Sequence, residues 1–277
     1  MAHLQEDTVT TTANITEIAK WDPVLTERVI GIIRPVLKRY FRSEVHGLDN
    51  LPAGGALVVS NHSGGQMAVD VPIFAADWYA ERGYDRPIYT LSHDMIMVGP
   101  TGDFLRRIGF IRANHENAAS ALRSNGIVVV FPGGDYDAYR PTSTQNVIDF
   151  GGRTGYVRAA IEAGVPIVPM VSVGGQETQL FLTRGTSLAK RLGPIARLAC
   201  AKILPITVGF PFGVSLFVLP PNIPLPSKIV TRVLEPINVR KKFGKNPDIA
   251  EVDAHVREVM QAGLDAFAAK RRFPVLG

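Results

Sequence analysis

The stretch Ala56-Leu57-Val58-Val59-Ser60-Asn61-His62-Ser63-Gly64-Gly65-Gln66-Met67-Ala68-Val69-Asp70 decides how the rest of the chain is read. Ala56 to Val59 is a short apolar run, the pattern of a buried strand. It ends in Ser60-Asn61-His62, passes two glycines, and enters a helical pattern that starts near Gln66 and runs to Arg82. A strand that opens through glycines into a helix is where open α/β sheets place their ligands. Of the six histidines, His62 alone has that setting, and Asp70 is the nearest carboxylate downstream. A histidine oriented by a carboxylate serves as a general base. The same pair also fits a hydrogen-bonded structural histidine beside a helix, and spacing alone leaves both readings open.

Outward from this stretch, strands and helices alternate. Pro87–Leu91, Gly109–Arg112, Ile127–Phe131 and Val165–Val173 read as strands. Helical patterns cover Thr101–Ile108, Glu116–Ser124 and Arg153–Ala163. Asn114 suits a helix N-cap, while Gly126 and Gly164 suit stops. That alternation predicts an α/β fold with a mostly parallel central sheet flanked by helices. Before it, Asp22–Arg42 is an amphipathic helical pattern with Pro23 in its first turn and Pro35 placed to kink or divide it. Arg28, Arg34, Lys38, Arg39 and Arg42 make this segment basic, as suits a helix lying in a membrane interface or a cap with a solvated face. After the sheet come a strand-like Ile229–Val239, basic Arg240-Lys241-Lys242, and a last helix from about Pro247 to Lys270. The expected organisation is a tail with a basic helix over residues 1–44, an α/β domain over 45–239, and a helical segment over 240–277 packed on it.

The 277 residues are 46% hydrophobic and 20% charged, the composition of a folded chain. A net charge of +5 and a pI near 9.4 suit an anionic partner without choosing among nucleic acid, phospholipid and an anionic cosubstrate. Cys200 is the single cysteine, which rules out an intrachain disulfide and a thiolate metal cluster and reads as a packing residue. Residues 1–19 are polar, with Glu6 and Asp7, and do not read as a signal peptide. From Thr178 to Leu234 there is no Asp or Glu, yet Arg184, Lys190, Arg191, Arg197, Lys202, Lys228 and Arg232 fall there. Ile203 to Ser227 has no charge at all. Pro205, Pro211, Pro220, Pro221, Pro224 and Pro226 would break a spanning helix. The segment fits an acyl-chain wall or a shallow membrane contact, with an ordinary core strand at Val214–Val218 as the plainer account of part of it.

Three more clusters sit at strand ends, as His62 does. Gly109-Phe110-Ile111-Arg112 puts a cation just past a strand. Phe131-Pro132-Gly133-Gly134-Asp135 closes the valine-rich strand in a turn whose amides could face an oxyanion. Val165-Pro166-Ile167-Val168-Pro169 is a strand opened by proline. Each alone is ordinary turn chemistry. In this order and spacing, with the lead-in Gly47-Leu48-Asp49-Asn50-Leu51-Pro52, they resemble the glycerophospholipid acyltransferase family, which contains bacterial lysophosphatidic acid acyltransferases. That family carries Asn-His…Asp, Gly-x-x-Phe-Ile with an arginine, Phe-Pro-Glu-Gly and Val-Pro-Ile-x-Pro blocks. The likeness covers roughly Val45 to Val239.

The resemblance implies an acyl-thioester donor, coenzyme A or carrier protein, a lipid alcohol acceptor and no further cofactor or metal. It also implies a peripheral or monotopic place on the cytoplasmic side of a membrane, with no nucleic-acid partner. His62 and Asp70 take the catalytic positions. In the mechanism expected, His62 removes the proton of an acceptor hydroxyl as its oxygen attacks the thioester carbonyl, and Asp70 holds the imidazole. A thiol leaves readily, so no enzyme nucleophile is needed. Gly64, Gly65, Gly133 and Gly134 offer oxyanion amides, Phe131 and Pro132 belong to the binding turn, and Arg112 or Arg153 serves a substrate phosphate.

The departures carry information too. The family places four residues between His and Asp, whereas seven separate His62 from Asp70. Eight steps of straight helix rise ~12 Å, so contact requires the chain to fold back at Ser63-Gly64-Gly65. Gly133 stands in place of the family's glutamate, and Asp135-Tyr136 in place of Thr-Arg, so an arginine associated with the acceptor phosphate is missing. Either Arg112 or Arg140 replaces it, or the acceptor has no phosphate, as in the mono- and diacylglycerol acyltransferase branch that the Pro-Gly-Gly form resembles. On the four ordered blocks the resemblance implies a lysophospholipid or glycerol phosphate acceptor first, with a neutral mono- or diacylglycerol as the alternative. No Gly-x-Ser-x-Gly elbow supports a serine hydrolase, and no P-loop or dinucleotide fingerprint supports a nucleotide enzyme. A nonenzymatic lipid carrier shares the apolar basic surface but gives no use for His62 and Asp70.

Overall fold

A computed structural model describes residues 17–62, 69–186, 205–216, 222–271, 273, 275 and 276. Residues 1–16, 63–68 with Gly64 and Gly65, and 187–204 with Cys200 lie outside the described residues.

Strand β2 (Ala56–Ser60) is buried at every position, because both of its faces are covered. It lies at the centre of a seven-stranded sheet. With β1 (Glu44–His46), β3 (Ile88–Ser92), β4 (Phe110–Arg112), β5 (Ile127–Val130), β6 (Ile167–Val173) and β10 (Val230–Val233), the order is β1-β10-β6-β2-β5-β3-β4. Every pairing is parallel except β10 against β6. Alternation along β2 sends Ala56 and Val58 to one core, and Leu57 and Val59 to the other. The first core is covered by α1 (Pro23–Tyr40) and α2 (Asp70–Arg82). The second is covered by α4 (His115–Arg123), α6 (Gly155–Ala163) and α8 (Ile249–Ala268), with α3 (Gly99–Arg107) preceding β4. The result is the three-layer α/β architecture expected from the alternation.

Several boundaries differ from the sequence expectation. Pro35 does not divide α1, which runs unbroken from Pro23 to Tyr40 with Asp22 Oδ1 accepting the Leu25 N–H at 2.9 Å. An internal proline costs ~3 kcal/mol, but Pro35 is exposed, while Ile30, Leu37 and Phe41 are buried on the opposite side. Burying three such side chains contributes roughly 1.5–3 kcal/mol each, so packing wins. Ile229–Val239 is not one strand: β10 ends at Val233, Ile237 makes a single bridge to Ile167, and Val239 already begins the short helix α7 (Val239–Phe243). The helix after His62 is described from Asp70 onward.

The described part of Val214–Val218 is not a core strand either. A second sheet is formed by β7 (Leu180–Thr183), β8 (Ile206–Gly209) and β9 (Gly213–Leu216), all antiparallel. Val214 is 66% exposed there. Among the described residues, no helix is long and apolar enough to cross a membrane.

Candidate active site

The chain leaves β2 and returns on both of its sides, β5 on one and β6 on the other. That makes the carboxyl end of β2 a topological switch point, where such sheets bind ligands. Asn61 fixes this end. Its side-chain Nδ2 donates to Ser172 O and its Oδ1 accepts the Ser172 N–H, both at 2.9 Å, so a side chain extends the β2–β6 pairing past the last strand residue. The next residue, His62, is thereby held at the mouth.

His62 Nδ1 lies 3.3 Å from Asp70 Oδ2, and the Asp70 side chain is wholly buried. The seven-residue spacing does not keep the pair apart, and Asp70 stands as the first residue of α2. With Nδ1–H donating to the carboxylate, the tautomer leaves the Nε2 lone pair available, and the imidazole keeps 16% exposure. Phe131 stacks on the imidazole at 4.4 Å between centroids and 23° between planes. An aromatic face favours the ring when it becomes cationic.

The turn after β5 holds two residues whose role the sequence did not reveal, Asp137 and Arg140. Short helix α5 (Gly134–Ala138) carries Asp137 inward, where its Oδ2 accepts the His62 backbone N–H at 2.6 Å. Its Oδ1 accepts from Arg140 Nη1, and that guanidinium also donates to Val147 O at 2.6 Å. Both side chains are buried, and burial pushes the Asp137 carboxyl above its ordinary value against the pull of Arg140 and the His62 N–H. Gln176 Nε2 completes the cluster, donating to Asp137 O at 3.3 Å. Gly133 fits this packing, since a Cβ on it would meet Asp137 Cβ at 2.3 Å. The only sequence sign was the substitution pair itself, glycine for glutamate with an acidic residue four positions later.

The remaining candidates are distributed as follows. Phe131 is half-buried against His62, and Pro132 and Gly133 are buried in the turn. Gly134 N–H donates to Phe131 O at 3.0 Å and closes the turn, so this amide is engaged and not an open oxyanion donor. Arg153 clamps the turn, with Nη1 donating to Gly133 O and to Pro132 O and Nη2 reaching Asp135 Oδ1 at 2.9 Å. Arg140 does not replace the missing phosphate arginine, because Asp137 holds it in the interior. Arg112 lies at the same sheet edge as His62 but three strands away, ~14 Å at ordinary strand spacing. Its guanidinium is half-exposed and 3.5 Å from Glu17 Oε1. Among the described residues, no cluster of three or more His, Cys, Asp or Glu is arranged to hold a metal.

Comparison with known proteins bears on this geometry. A family model described as Acyltransferase matches residues 42–173, which contain His62, Asp70, Arg112, the Phe131–Gly134 turn and β6. An uncharacterized protein of Mycobacterium tuberculosis is 31% identical over 252 residues, covering 87% of this chain and 67% of the relative. A mouse protein described as DGAT1/2-independent enzyme synthesizing storage lipids is 29% identical over 232 residues, covering 83% of this chain and 66% of its own length. Among solved structures, the 1-acyl-sn-glycerophosphate (LPA) acyltransferase of Thermotoga maritima has a TM-score of 0.53 at 18% identity, covering 88% of this chain and 82% of that one, a likeness of fold. The strand-end histidine, its buried carboxylate and the aromatic turn beside them thus fall within the matched residues, and the chain belongs to the acyltransferase family.

Proposed function

We propose that this acyltransferase moves a fatty acyl group from an acyl thioester, carried by coenzyme A or a carrier protein, to a hydroxyl of a neutral mono- or diacylglycerol. His62 acts as the general base. The acceptor hydroxyl gives its proton to Nε2 while its oxygen bonds to the thioester carbonyl carbon. The carbon–sulfur bond then breaks, and the departing thiolate takes the proton from the imidazolium. Asp70 keeps Nδ1 protonated and steadies the cation, and Phe131 lies along its face. The observation that carries the reading is the His62–Asp70 contact, at a ligand-binding edge, with the imidazole partly exposed.

The choice of a neutral acceptor rests on the guanidinium groups around the turn. Arg140 is buried against Asp137, and Arg153 is bonded to the turn's carbonyls and Asp135. A lysophospholipid or glycerol phosphate acceptor, as in phospholipid biosynthesis, is the second reading. The half-exposed Arg112 at the same edge favours it. Peripheral association with the cytoplasmic side of a membrane belongs to either reading, through the basic helix α1 and the acid-free segment Thr178–Leu234.

The test offers labelled acyl-coenzyme A with equal amounts of monoacylglycerol and lysophosphatidic acid in one vesicle preparation, and identifies products by mass spectrometry. Labelled neutral glyceride as the main product, a preference unchanged in Arg112→Ala, is expected. A preference for the phosphate-bearing acceptor that falls by about one to two decades in Arg112→Ala, the worth of a charged contact of ~1.5–3 kcal/mol, would select the second reading.

A further inference from the structure

The small sheet β7-β8-β9 has its polarity turned inside out. Its inward face carries Phe181 with the polar Thr207 and Ser215, all at most 1% exposed. Register places Leu180 beside Val208 and Val208 beside Val214 on the outward face, with Leu216 beside Ile206 in the next row. Leu180, Leu182, Val214 and Leu216 are each at least 46% exposed. At the tip, Phe210 and Phe212 are 67% and 57% exposed. An apolar outer face over a polar inner one reverses what water selects, and contiguous apolar surface of this kind marks an interaction site.

The tip is built, not slack. Asn222 lies nearly buried behind it, with Oδ1 accepting the Phe212 N–H at 3.0 Å and Nδ2 donating to Gly213 O and Ser215 Oγ. Ile223 N–H donates to Phe210 O at 2.7 Å. The two aromatic rings therefore project from a braced hairpin.

Charge chooses the occupant. No charge lies between Ile203 and Ser227, and the flanking ionic residues, Lys202 and Lys228, are both cationic. Across Thr178–Leu234 every ionic residue is a cation. A second copy docked on this face would bring two acid-free, cationic stretches of sequence together, whereas an anionic bilayer complements such a stretch. Resting on the membrane-associated acyl transfer proposed above, we propose that the β8–β9 hairpin inserts Phe210 and Phe212 into the lipid surface and thereby seats the active site on it. The sheet is tied directly to the catalytic turn. Phe181 N–H donates to Thr142 Oγ1 at 2.9 Å, and Arg184 Nε donates to Tyr136 O at 3.0 Å while its guanidinium lies 3.9 Å over the Tyr136 ring. Those partners bracket Asp137, which holds the His62 backbone. A lipid-seated hairpin thus places His62 beside the surface from which a lipid alcohol arrives.

The experiment uses the full chain and vesicles of phosphatidylcholine and phosphatidylglycerol in equal parts, read by flotation. The parent and His62→Ala should float alike, since the chemistry is not involved. Phe210→Ser/Phe212→Ser should partition on the order of a hundredfold less, from the lost burial of two large apolar side chains. It should keep the parent rate on a water-soluble short-chain acceptor. Phe212→Trp reports position directly: brominated acyl chains should quench its added emission beyond the background of Trp21 and Trp78. Full vesicle binding by the double variant, or an unquenched Phe212→Trp signal on bound protein, overturns the proposal. So does a parent dimer that dissociates in the double variant with vesicle binding intact, which would make the face a self-interface. Absence of acyl transfer in every assay, with Phe212→Trp still quenched, would refute the enzymatic reading and leave the insertion standing.

Discussion

Gly133 is the residue whose replacement most sharply separates backbone preference from packing. Its backbone, at φ −64° and ψ −27°, is open to any residue. On that ground alone Gly133→Ala should stabilise the fold by about 0.4–1 kcal/mol, because alanine has less unfolded freedom to lose. Packing argues the other way. The added Cβ would sit 2.3 Å from Asp137 Cβ, 3.0 Å from Asp137 Cγ and 3.1 Å from Asp149 O. Asp137 cannot simply turn aside, since its two carboxylate oxygens are committed to His62 N–H and to Arg140 in the interior. Overpacking of this kind costs ~1–3 kcal/mol. If Asp137 yields instead, a charge-assisted bond worth ~1.5–3 kcal/mol is weakened. After the alanine gain is subtracted, the net expectation is a loss of roughly 0.5–2.5 kcal/mol, or on the order of 1–10 °C in melting temperature. Acyl transfer should fall with it, because the His62 backbone loses its anchor. Gly31→Ala is the matched control: Gly31 lies within α1 with nothing within 4 Å of a Cβ, and the change should stabilise by about 0.5–1 kcal/mol. Thermal melts of both variants decide the matter. A Gly133→Ala protein that melts at or above the parent and keeps parent activity would refute the packing of Asp137 against this turn.

Other expectations follow from the same contacts. His62→Ala should lower acyl transfer by ~10²–10⁴ in a protein that melts like the parent, and transfer at the parent rate would remove His62 from the mechanism. Asp70→Asn should also reduce the rate, with the change appearing in kcat, because the amide no longer steadies the imidazolium. Salt should weaken binding to anionic vesicles as the screening length falls from ~10 Å at 0.1 M to ~3 Å at 1 M, with a salt-resistant remainder from apolar contact; a protein left in the supernatant at low salt would contradict this. Stability should fall in acid through Glu17. Burial acts to raise its carboxyl, but the Arg106 hydrogen bond, the Arg112 N–H and the two guanidinium charges together hold it below its ordinary 4.5. A depressed carboxylate contributes stability that is complete above the unfolded value and lost as pH falls through the folded one. Melting temperature should therefore drop as pH goes below about 4.5, and drop less steeply in Glu17→Gln, measured from pH 7 downward.

Much of the architecture could be read from pattern alone. β2, β5 and β6 stand out as short unbroken apolar runs, because a parallel strand covered on both faces must be apolar at nearly every position. Asn114 and Gly164 mark a helix start and a helix stop where the structure has them, since caps are local chemistry. The four blocks also identify the family, as each lies within a few residues of a strand end. The small outward-facing sheet was less legible. Its charge-free sequence is compatible with a core strand, and only the pairing of β7 with β8 and β9 decides which side chains face out.

The site divides in the same way. His62 and Asp70 were nameable from residue type and order, but whether they meet depended on where α2 begins, which brings Nδ1 to 3.3 Å from the carboxylate. Asp137 had only a faint mark in the sequence, an acidic residue four positions after Gly133, and Arg140 suggested a substrate ligand. The Asp137 bond to the His62 backbone joins residues 75 apart, and the charge of Arg140 is consumed inside the fold. The chain alone determined which segments are apolar enough to form a two-faced sheet, because burial tendency is written residue by residue. Tertiary structure decided which polar groups find one another, because a buried hydrogen bond depends on a separation of a few ångströms that no local pattern encodes.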